Sequence, residues 1–192
     1  MEVVADKGGY REGDLLVLPL AGPGADVFLA KAYLQYSVEK MLPIIFHERV
    51  YSLTEFLTWG LSDGVVMLAA FRQYGPEESD YEFCGLSWVN RARDMGAGKK
   101  KSEIAMGFFR SQQVKNLNLR FGRLMLRWVF DNLDIDVLFG TTPVQNQAAL
   151  RYSRQIGFSL HGPIPSYTTW KGELTSVWVS MMSREQFLEN GR

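Results

Sequence analysis

Apolar positions repeat with the spacing of helices in some stretches of the chain and of strands in others. In residues 119–133 they recur at intervals of three and four, the stripe of a helix lying on a sheet, at Phe121, Leu124, Met125, Trp128 and Val129. Residues 65–71 and 81–90 are β-rich runs separated by a Gly-Pro-acidic turn, and residues 135–140 form another apolar run. These alternating patterns predict an α/β chain.

Local signals predict further elements in the amino-terminal third. Residues 14–20 read as a strand, and a helix over residues 26–40 follows, with Asp26 as its capping residue. Ser52 and Glu55 have the spacing of a capping box, which predicts a short helix that begins just after Ser52.

The carboxyl-terminal half continues with strands, a helix and a hairpin. Residues 91–102 predict a hairpin tip with three lysines projecting into solvent, and residues 103–109 predict the strand that follows. Residues 146–156 predict a helix that ends at Gly157, where a left-handed residue is favoured. Alternation over residues 168–181 predicts a closing antiparallel hairpin.

Composition favours one cytoplasmic domain. The 192 residues are 46% hydrophobic, enough for one sizeable core, so we expect a single domain over residues 1–192, with residues 1–13 as a flexible or edge segment. No apolar run approaches the ~20 residues that cross a bilayer, and the amino terminus lacks the apolar region of a signal peptide. Cys84, the one cysteine, predicts a buried inert thiol, and the two separated histidines give no support for a metal site.

Positive charge is concentrated in the middle of a chain whose net charge is zero. Residues 91–127 hold ten Lys or Arg against Asp94 and Glu103, a local excess of eight positive charges. Such asymmetry points either to a polyanionic ligand, such as CoA phosphates or nucleic acid, or to a solvated basic face. Few aromatic side chains lie among these cations, which disfavours nucleic-acid binding.

One segment carries a specific resemblance. Asn146, Ala149, Gly157 and Phe158 match the N-x-x-A-x-x-x-Y-x-x-x-G-F signature of the GNAT (general N-acetyltransferase) superfamily, and Ser153 stands at its Tyr position. The order of predicted elements also resembles that fold. The closing segment is similar to the branch that acetylates ribosomal-protein amino termini and small amines. The resemblance implies an α/β GNAT fold, a mixed central sheet with two splayed parallel strands flanked by helices.

The resemblance implies acetyl-CoA as acyl donor, bound between the strands at 103–109 and 135–140. In the family, the pyrophosphate rests on a Q/R-x-x-G-x-G/A turn at a helix start, and here both small positions are asparagine. Asn tolerates positive φ but adds bulk, so we expect weak CoA binding. Lys115, Arg120 and Arg123 either compensate by charge or are solvated. The implied cofactor-binding residues are Phe108, Phe109, Gln113, Val114, Lys115, Asn116, Leu117, Asn118, Arg120 and Asn146.

The resemblance also implies catalytic candidates, each with a structural alternative. The family often uses a tyrosine in the last helix to protonate the CoA thiolate, which makes Ser153, or the neighbouring Tyr152, the candidate acid. Tyr152 is also explained as core packing, and Asn146 as a helix N-cap. Glu103 is the candidate general base, or else a surface carboxylate that balances the three lysines.

Two functions follow from the resemblance. The first is an N-acyltransferase acting on an amine of a small molecule or a protein. The second is a GNAT-shaped module without turnover that binds a protein partner, for instance in a phage particle or another complex. Three observations favour the second: the two asparagines in the loop, the missing tyrosine, and the many aromatic residues outside the motif.

Overall fold

A mixed sheet of nine strands forms the centre of the computed structural model, which describes residues 8–46, 49–77, 80–110 and 116–190. The strands are β1 (Tyr10–Glu12), β2 (Leu15–Pro19), β3 (Val65–Gln73), β4 (Tyr81–Asn90), β5 (Arg93–Gly96), β6 (Lys99–Phe108), β7 (Val137–Pro143), β8 (Ser159–Trp170) and β9 (Glu173–Ser183). Their order across the sheet is β1-β2-β3-β4-β6-β7-β9-β8, with β5 paired to β6. All neighbours are antiparallel except β6 and β7.

The described residues form six helices, five of them between strands and one after β9. They are α1 (Ala25–Val38), α2 (Leu42–Ile45), α3 (Leu53–Gly60), α4 (Leu117–Asn132), α5 (Gln147–Gln155) and α6 (Arg184–Asn190). None of the helices in the described part of the chain combines the length and the apolar character needed to cross a membrane.

Each face of the sheet carries its own core. On one face the apolar stripe of α4, with Phe121 and Met125 fully buried, packs with residues of α5 and Phe187 of α6. On the other face α1, α2 and α3 enclose a cluster that includes Tyr36, Phe56 and Trp88. The sheet is therefore covered by helices on both sides, as in other layered α/β domains.

Arg184, the first residue of α6, binds the carboxyl-terminal end of α4, the helix that connects β6 to β7. Its guanidinium donates to the carbonyl oxygens of Leu133 and Ile135, each at 2.9 Å, and also to that of Phe130. Carbonyl groups at a helix end have no partner inside the helix, and a cation there also opposes the negative end of the helix dipole. The side chain thus caps α4 from a residue some fifty positions later.

Several expectations are confirmed. The stripe over residues 119–133 lies in α4, and Ser52 forms a full capping box with Glu55 at the start of α3. The helix at α5 is followed by Gly157, whose φ is 105°. Cys84 is buried, and burial raises its pKa to about 12, so its thiol stays protonated at neutral pH.

Three details differ from expectation. The residue that caps α1 is Gly24, with φ 88° and no side-chain cap, so the assignment to Asp26 was wrong, and Asp26 lies in the first turn. Strand β6 begins at Lys99 instead of residue 103, because residues 99–101 already pair with β5, and the solvent-facing Lys99 and Lys100 also form ion pairs with Asp136 and Asp134. The closing hairpin, β8 with β9, is longer than residues 168–181.

Candidate active site

The parallel strands β6 and β7 separate partway along their length. They pair only where Lys101, Ser102 and Glu103 face Val137, Leu138 and Phe139. Beyond that point β6 stays on β4 up to Phe108, while β7 stays on β9 up to Pro143. The predicted adjacent, diverging strands are therefore confirmed, and a gap opens between their carboxyl-terminal halves.

Gly140 sits at the apex of this gap. A Cβ atom on Gly140 would lie 2.9 Å from the carbonyl oxygen of Ile104, so the two backbones approach here as only a glycine permits. The Ile104 carbonyl thus points toward β7. Because backbone groups alternate in direction along a strand, Met106 and Phe108 also direct their N–H and C=O groups into the gap. No described strand pairs with β6 on this edge beyond Glu103.

Tyr36, on α1, contacts the other edge of β6, the edge that pairs with β4. Its hydroxyl donates to the Gly107 carbonyl oxygen at 2.6 Å and accepts from the Leu86 N–H at 3.1 Å. Leu86 and Gly107 face each other in the β4–β6 register, so the hydroxyl stands between two groups that would otherwise pair. The side chain is fully buried, and burial raises the pKa of its hydroxyl well above the usual range.

A cleft of about 1000 Å³ lies at the gap and is lined by residues from both faces of the sheet. Its described walls are formed by β6 and the carboxyl-terminal half of β7, with residues of β4, β8, β9, α2, α3, α5 and the loop before α3. The residues that line it include Phe46, Tyr51, Trp59, Trp88, Asn90, Glu103, Phe108, Arg110, Asn118, Asn146, Tyr152, Ser153 and Ser180.

On the face covered by α1 to α3, the carboxylate of Glu103 lies near the aromatic ring of Trp88. Glu103 accepts a 3.0 Å hydrogen bond from the side-chain amide of Asn90, which fixes the orientation of the carboxylate. Trp88 precedes Asn90 by two residues on β4 and therefore lies on the same face of the sheet. Glu103, predicted as the general base, lies on the cleft wall on the face away from α4 and α5.

On the other face, α5 brings Asn146 and Ser153 to the cleft. Asn146 is the N-cap of α5, and its side-chain oxygen accepts from the Ala149 N–H at 3.2 Å. It therefore fits the capping role while also lining the cleft. Ser153, at the signature's Tyr position, is half-buried on the same wall.

Tyr152 is held by packing on that wall. Its hydroxyl donates to the Asn118 carbonyl oxygen at 3.0 Å, and its ring meets Phe108 edge-on at 6.0 Å. A Cβ atom on Gly122 would lie 2.1 Å from the Tyr152 hydroxyl oxygen, so the tyrosine occupies the space that this glycine leaves. Burial raises the pKa of the hydroxyl. The geometry supports the packing interpretation, with the ring also on the cleft surface.

The predicted cofactor-binding residues are dispersed. Phe108 and Asn118 line the cleft. Phe109 is buried in the core under α1 to α3, and Leu117 is buried in the core under α4. Arg120 forms a 3.0 Å ion pair with Asp14 away from the cleft walls. Gln113, Val114 and Lys115 lie outside the described residues.

Asn116 adopts the conformation that the loop requires. It is the N-cap of α4 with φ 70°, the left-handed region that asparagine tolerates better than other side chains. Asn116 itself therefore has the backbone conformation that a glycine would readily adopt, with its side chain exposed.

Two buried polar atoms on the cleft wall have no hydrogen-bond partner in the described structure. They are the side-chain oxygen of Asn118 and the hydroxyl of Ser180, a residue only 4% exposed. A buried polar group without a partner costs free energy, so such atoms are explained when a ligand supplies the partner.

Sequence reasoning missed several cleft residues. Trp59 lies in α3, whereas Trp88 and Asn90 lie on β4, with no shared motif, and Ser180 lies on β9, opposite Gly140. Arg110, exposed at the end of β6, supplies a cation at the mouth of the cleft. It lies within the basic stretch, which was the one sequence signal that could have indicated it.

Comparison with known proteins gives a structural likeness without a sequence match. No protein-family model matches the sequence, and no curated protein matches it either. The spermidine N-acetyltransferase of Vibrio cholerae, solved with CoA and spermine, superimposes with a TM-score of 0.72 at 13% identity, over 92% of this chain and 99% of that one.

Two further solved structures agree. The ribosomal L7/L12 α-N-protein acetyltransferase, in complex with CoA, has a TM-score of 0.69 at 16% identity, over 90% of this chain and 95% of that one. The ribosomal-protein-S5-alanine acetyltransferase of Vibrio fischeri gives 0.71 at 10% identity, over 93% and 98%. With its splayed parallel strands and the helices on both faces, the chain has the fold of the GNAT acetyltransferases.

Proposed function

We propose that this protein is an N-acetyltransferase that moves an acetyl group from acetyl-CoA to an amine. The observation that carries the proposal is the gap between β6 and β7, whose unpaired β6 edge forms a wall of a cleft lined by residues from both faces of the sheet. Such a gap lets the acyl donor approach from one face and the amine from the other. The two reactants then meet in line, and positioning supplies most of the rate.

The α4 and α5 face suits the acyl donor. Backbone groups of Met106 and Phe108 face the gap and would pair with the amide-bearing arm of CoA like an added strand. One of these N–H groups would also stabilise the negative charge that develops on the thioester carbonyl oxygen. The unpartnered oxygen of Asn118 and hydroxyl of Ser180 are further partners for that arm.

The start of α4 suits a phosphate group. Its N-terminus presents backbone N–H groups and the positive end of the helix dipole. Asn116 keeps the left-handed turn that exposes those groups, and Arg110 adds a cation at the mouth of the cleft. Arg120 forms an ion pair with Asp14 instead, so the backbone N–H groups at the start of α4 and the Arg110 side chain are the described groups proposed to contact the phosphate.

Glu103 is the proposed general base. Its carboxylate lies on the acceptor side of the gap, and the Asn90 amide holds it at 3.0 Å. The amine nitrogen forms the new C–N bond to the acetyl carbon, and its surplus proton passes to Glu103. The C–S bond to CoA breaks in the same transfer.

Ser153 is the proposed proton donor to the departing thiolate. It stands at the family's Tyr position and lines the donor side of the cleft, where the sulfur would leave. Tyr152 is less suited to this role because its hydroxyl proton is engaged by the Asn118 carbonyl oxygen. The products are then an N-acetyl amide and CoA with a free thiol.

The test separates a transferase from a module without turnover. Purified protein with acetyl-CoA and a panel of amines should release CoA thiol in proportion to the amide detected by mass spectrometry. Glu103→Gln keeps an acceptor for the Asn90 amide but removes the base, so we expect kcat to fall at least a hundredfold. Glu173→Gln, on the β8–β9 turn outside the cleft, is the matched control and should be unchanged. Equal rates for Glu103→Gln and the wild type would exclude this mechanism, and absence of turnover with every amine would favour the assembly module.

A further inference from the structure

The acceptor side of the cleft is built from four aromatic rings in mutual contact. Trp88 stacks on Phe46 with ring centroids 5.7 Å apart and meets Trp59 edge-on at 5.5 Å. Tyr51 lies parallel to Trp59 at 6.2 Å, with an angle of 3° between the ring planes. We call these four residues, Phe46, Tyr51, Trp59 and Trp88, the aromatic wall.

Neighbouring contacts hold the aromatic wall in place. The hydroxyl of Tyr33 donates to the Tyr51 carbonyl oxygen at 2.7 Å, which anchors the loop that carries Tyr51. The capping box of Ser52 fixes the start of α3, the helix that carries Trp59. Phe46 and Trp88 are nearly buried, whereas Tyr51 and Trp59 remain half-buried on the cleft surface. Their rings therefore form a preorganised apolar surface inside the cleft.

Negative charge is scarce at this surface. Glu103 is the single carboxylate among the described residues that line the cleft. The two lining cations are Arg49 and Arg110, and Arg49 is paired with Glu55 and lies over the Tyr51 ring. On the acceptor side, a ligand with several ammonium groups would therefore find Glu103 as its one carboxylate among the described lining residues, beside Arg49, whose charge Glu55 already offsets, so its further ammonium groups would lack a partner there.

The register of the sheet relates the carboxylate to the wall. Trp88 faces Ala105 across β4 and β6, and Glu103 lies two residues before Ala105 on the same face. Trp88 and Glu103 are thus diagonal neighbours, with backbone positions about 7 Å apart in such a pairing. A ring resting on the wall would place an amine on a short linker within reach of Glu103.

From this geometry we infer that the acceptor is a primary amine carried on a flat aromatic body by a short linker, an arylalkylamine. The inference rests on the proposed transferase function and adds its substrate class. The ring would bury its face on the aromatic wall, the single ammonium would be drawn to Glu103, and loss of its proton there would make the nitrogen nucleophilic.

Binding tests the inference apart from catalysis. Calorimetric titration of the protein in the presence of CoA should show 2-phenylethylamine binding at least ten times more tightly than ethylamine and than spermidine. In the acetyl-transfer assay, kcat/KM for 2-phenylethylamine should exceed that for either comparison amine by at least tenfold. A preference for spermidine, or equal affinity for ethylamine and 2-phenylethylamine, would overturn the inference.

Variants of the wall give a second test. Tyr51→Ala should raise KM for 2-phenylethylamine at least fivefold while KM for acetyl-CoA stays unchanged, and Trp59→Leu should do the same while retaining apolar volume in α3. Tyr74→Ala, at a tyrosine that is 69% exposed and lies outside the cleft walls, is the matched control and should leave both constants unchanged. An unchanged KM for 2-phenylethylamine in both wall variants would count against the inference.

The two proposals fail in distinguishable ways. If the arylalkylamine binds with the stated preference but no amine is acetylated, the transferase function fails and the ligand class of the pocket stands. If amines are acetylated but spermidine is preferred, the transferase function stands and the inferred substrate class is wrong.

Discussion

The hydroxyl of Tyr36 donates a 2.6 Å hydrogen bond to the carbonyl oxygen of Gly107, 71 residues later in the chain. Because the same hydroxyl accepts from the Leu86 N–H, it replaces a direct backbone bond between β4 and β6. Gly107 lines the cleft, and a Cβ atom there would lie 3.0 Å from the Tyr36 hydroxyl oxygen. Helix α1 therefore helps to set the position of the strand that would hold the acyl donor.

Removing this hydroxyl should cost stability. Tyr36→Phe leaves the Leu86 N–H and the Gly107 carbonyl without their buried partner, so we expect the free energy of unfolding to fall by about 1–3 kcal/mol. Urea denaturation at pH 7 measures the loss. Tyr74→Phe, at an exposed tyrosine, should stay within about 0.5 kcal/mol of wild type, and an equally small loss in Tyr36→Phe would show that the bridge contributes little.

The same hydroxyl predicts a dependence on alkaline pH. Burial raises the folded-state pKa of Tyr36, so above pH 10 the unfolded chain releases this proton while the folded chain retains it. Stability from this group is therefore fully present below about pH 10 and decreases as pH rises. The gap in unfolding free energy between wild type and Tyr36→Phe should shrink by about 1 kcal/mol from pH 9 to pH 11. A constant gap would contradict the burial argument.

Gly122 and Tyr152 should be energetically coupled. Gly122→Ala places a methyl group 2.1 Å from the present Tyr152 hydroxyl oxygen, so we expect a loss of about 1–3 kcal/mol from overpacking. Tyr152→Phe in the same background should recover part of that loss, because it removes the clashing atom. A double-mutant cycle by urea denaturation measures the coupling, and strictly additive effects would argue against the contact.

Kinetics should separate Tyr152 from Ser153. Since the Tyr152 hydroxyl serves the Asn118 carbonyl oxygen, Tyr152→Phe should retain most of kcat. Ser153→Ala should lower kcat by about 10²-fold if its hydroxyl donates the proton to the thiolate. The reverse order of effects would assign the proton transfer to Tyr152.

Ser180→Ala should stabilise the free protein but reduce the stabilisation that acetyl-CoA provides. Its buried hydroxyl has no partner in the described structure, so Ser180→Ala should raise the unfolding free energy of the free protein by about 1 kcal/mol. Ser87→Ala, at a buried serine that donates to the Ala105 carbonyl oxygen at 2.9 Å, should lower it by about 1 kcal/mol. Acetyl-CoA should then stabilise wild type more than Ser180→Ala. Equal ligand stabilisation would exclude Ser180 from the binding site.

Asn116 tests whether the loop limits CoA binding. At φ 70°, Asn116→Ala should lose about 1 kcal/mol of stability, whereas Asn116→Gly should be neutral or stabilising. A ligand at one hundred times its Kd adds about 2.7 kcal/mol, so thermal melts with millimolar acetyl-CoA compare the variants directly. We expect a small shift for wild type and a larger one for Asn116→Gly. A large wild-type shift would show that the loop binds the pyrophosphate despite its asparagines.

Elements encoded by neighbouring residues could be predicted from the sequence. The stripe of α4, the capping box of Ser52 and the left-handed Asn116 each depend on a few adjacent positions, and the structure has all three. The start of β6 was missed because three consecutive lysines lack the alternating pattern of a strand, although they pair with β5 and two of them also form ion pairs with Asp136 and Asp134.

The site was harder to predict because it is assembled from distant segments. Phe46, Trp59 and Trp88 lie in three different parts of the chain, and no local pattern marks them as one surface. Gly140 is one of 18 glycines in the sequence, and its role depends on the approach of Ile104 from another strand. The signature around Asn146 identified the fold but not the acceptor side.

Arg184 has a consequence for the order in which the molecule assembles. β7 lies between β6 and β9, and the Arg184 that follows β9 bonds the carbonyl groups around the end of α4. During synthesis from the amino terminus, the gap between β6 and β7 therefore lacks one of its supports until residues near 184 have left the ribosome. Contacts so distant in sequence slow folding, since loop closure must precede their gain. Nascent chains halted before residue 173 should thus contain the folded core beneath α1, α2 and α3 but no complete cleft.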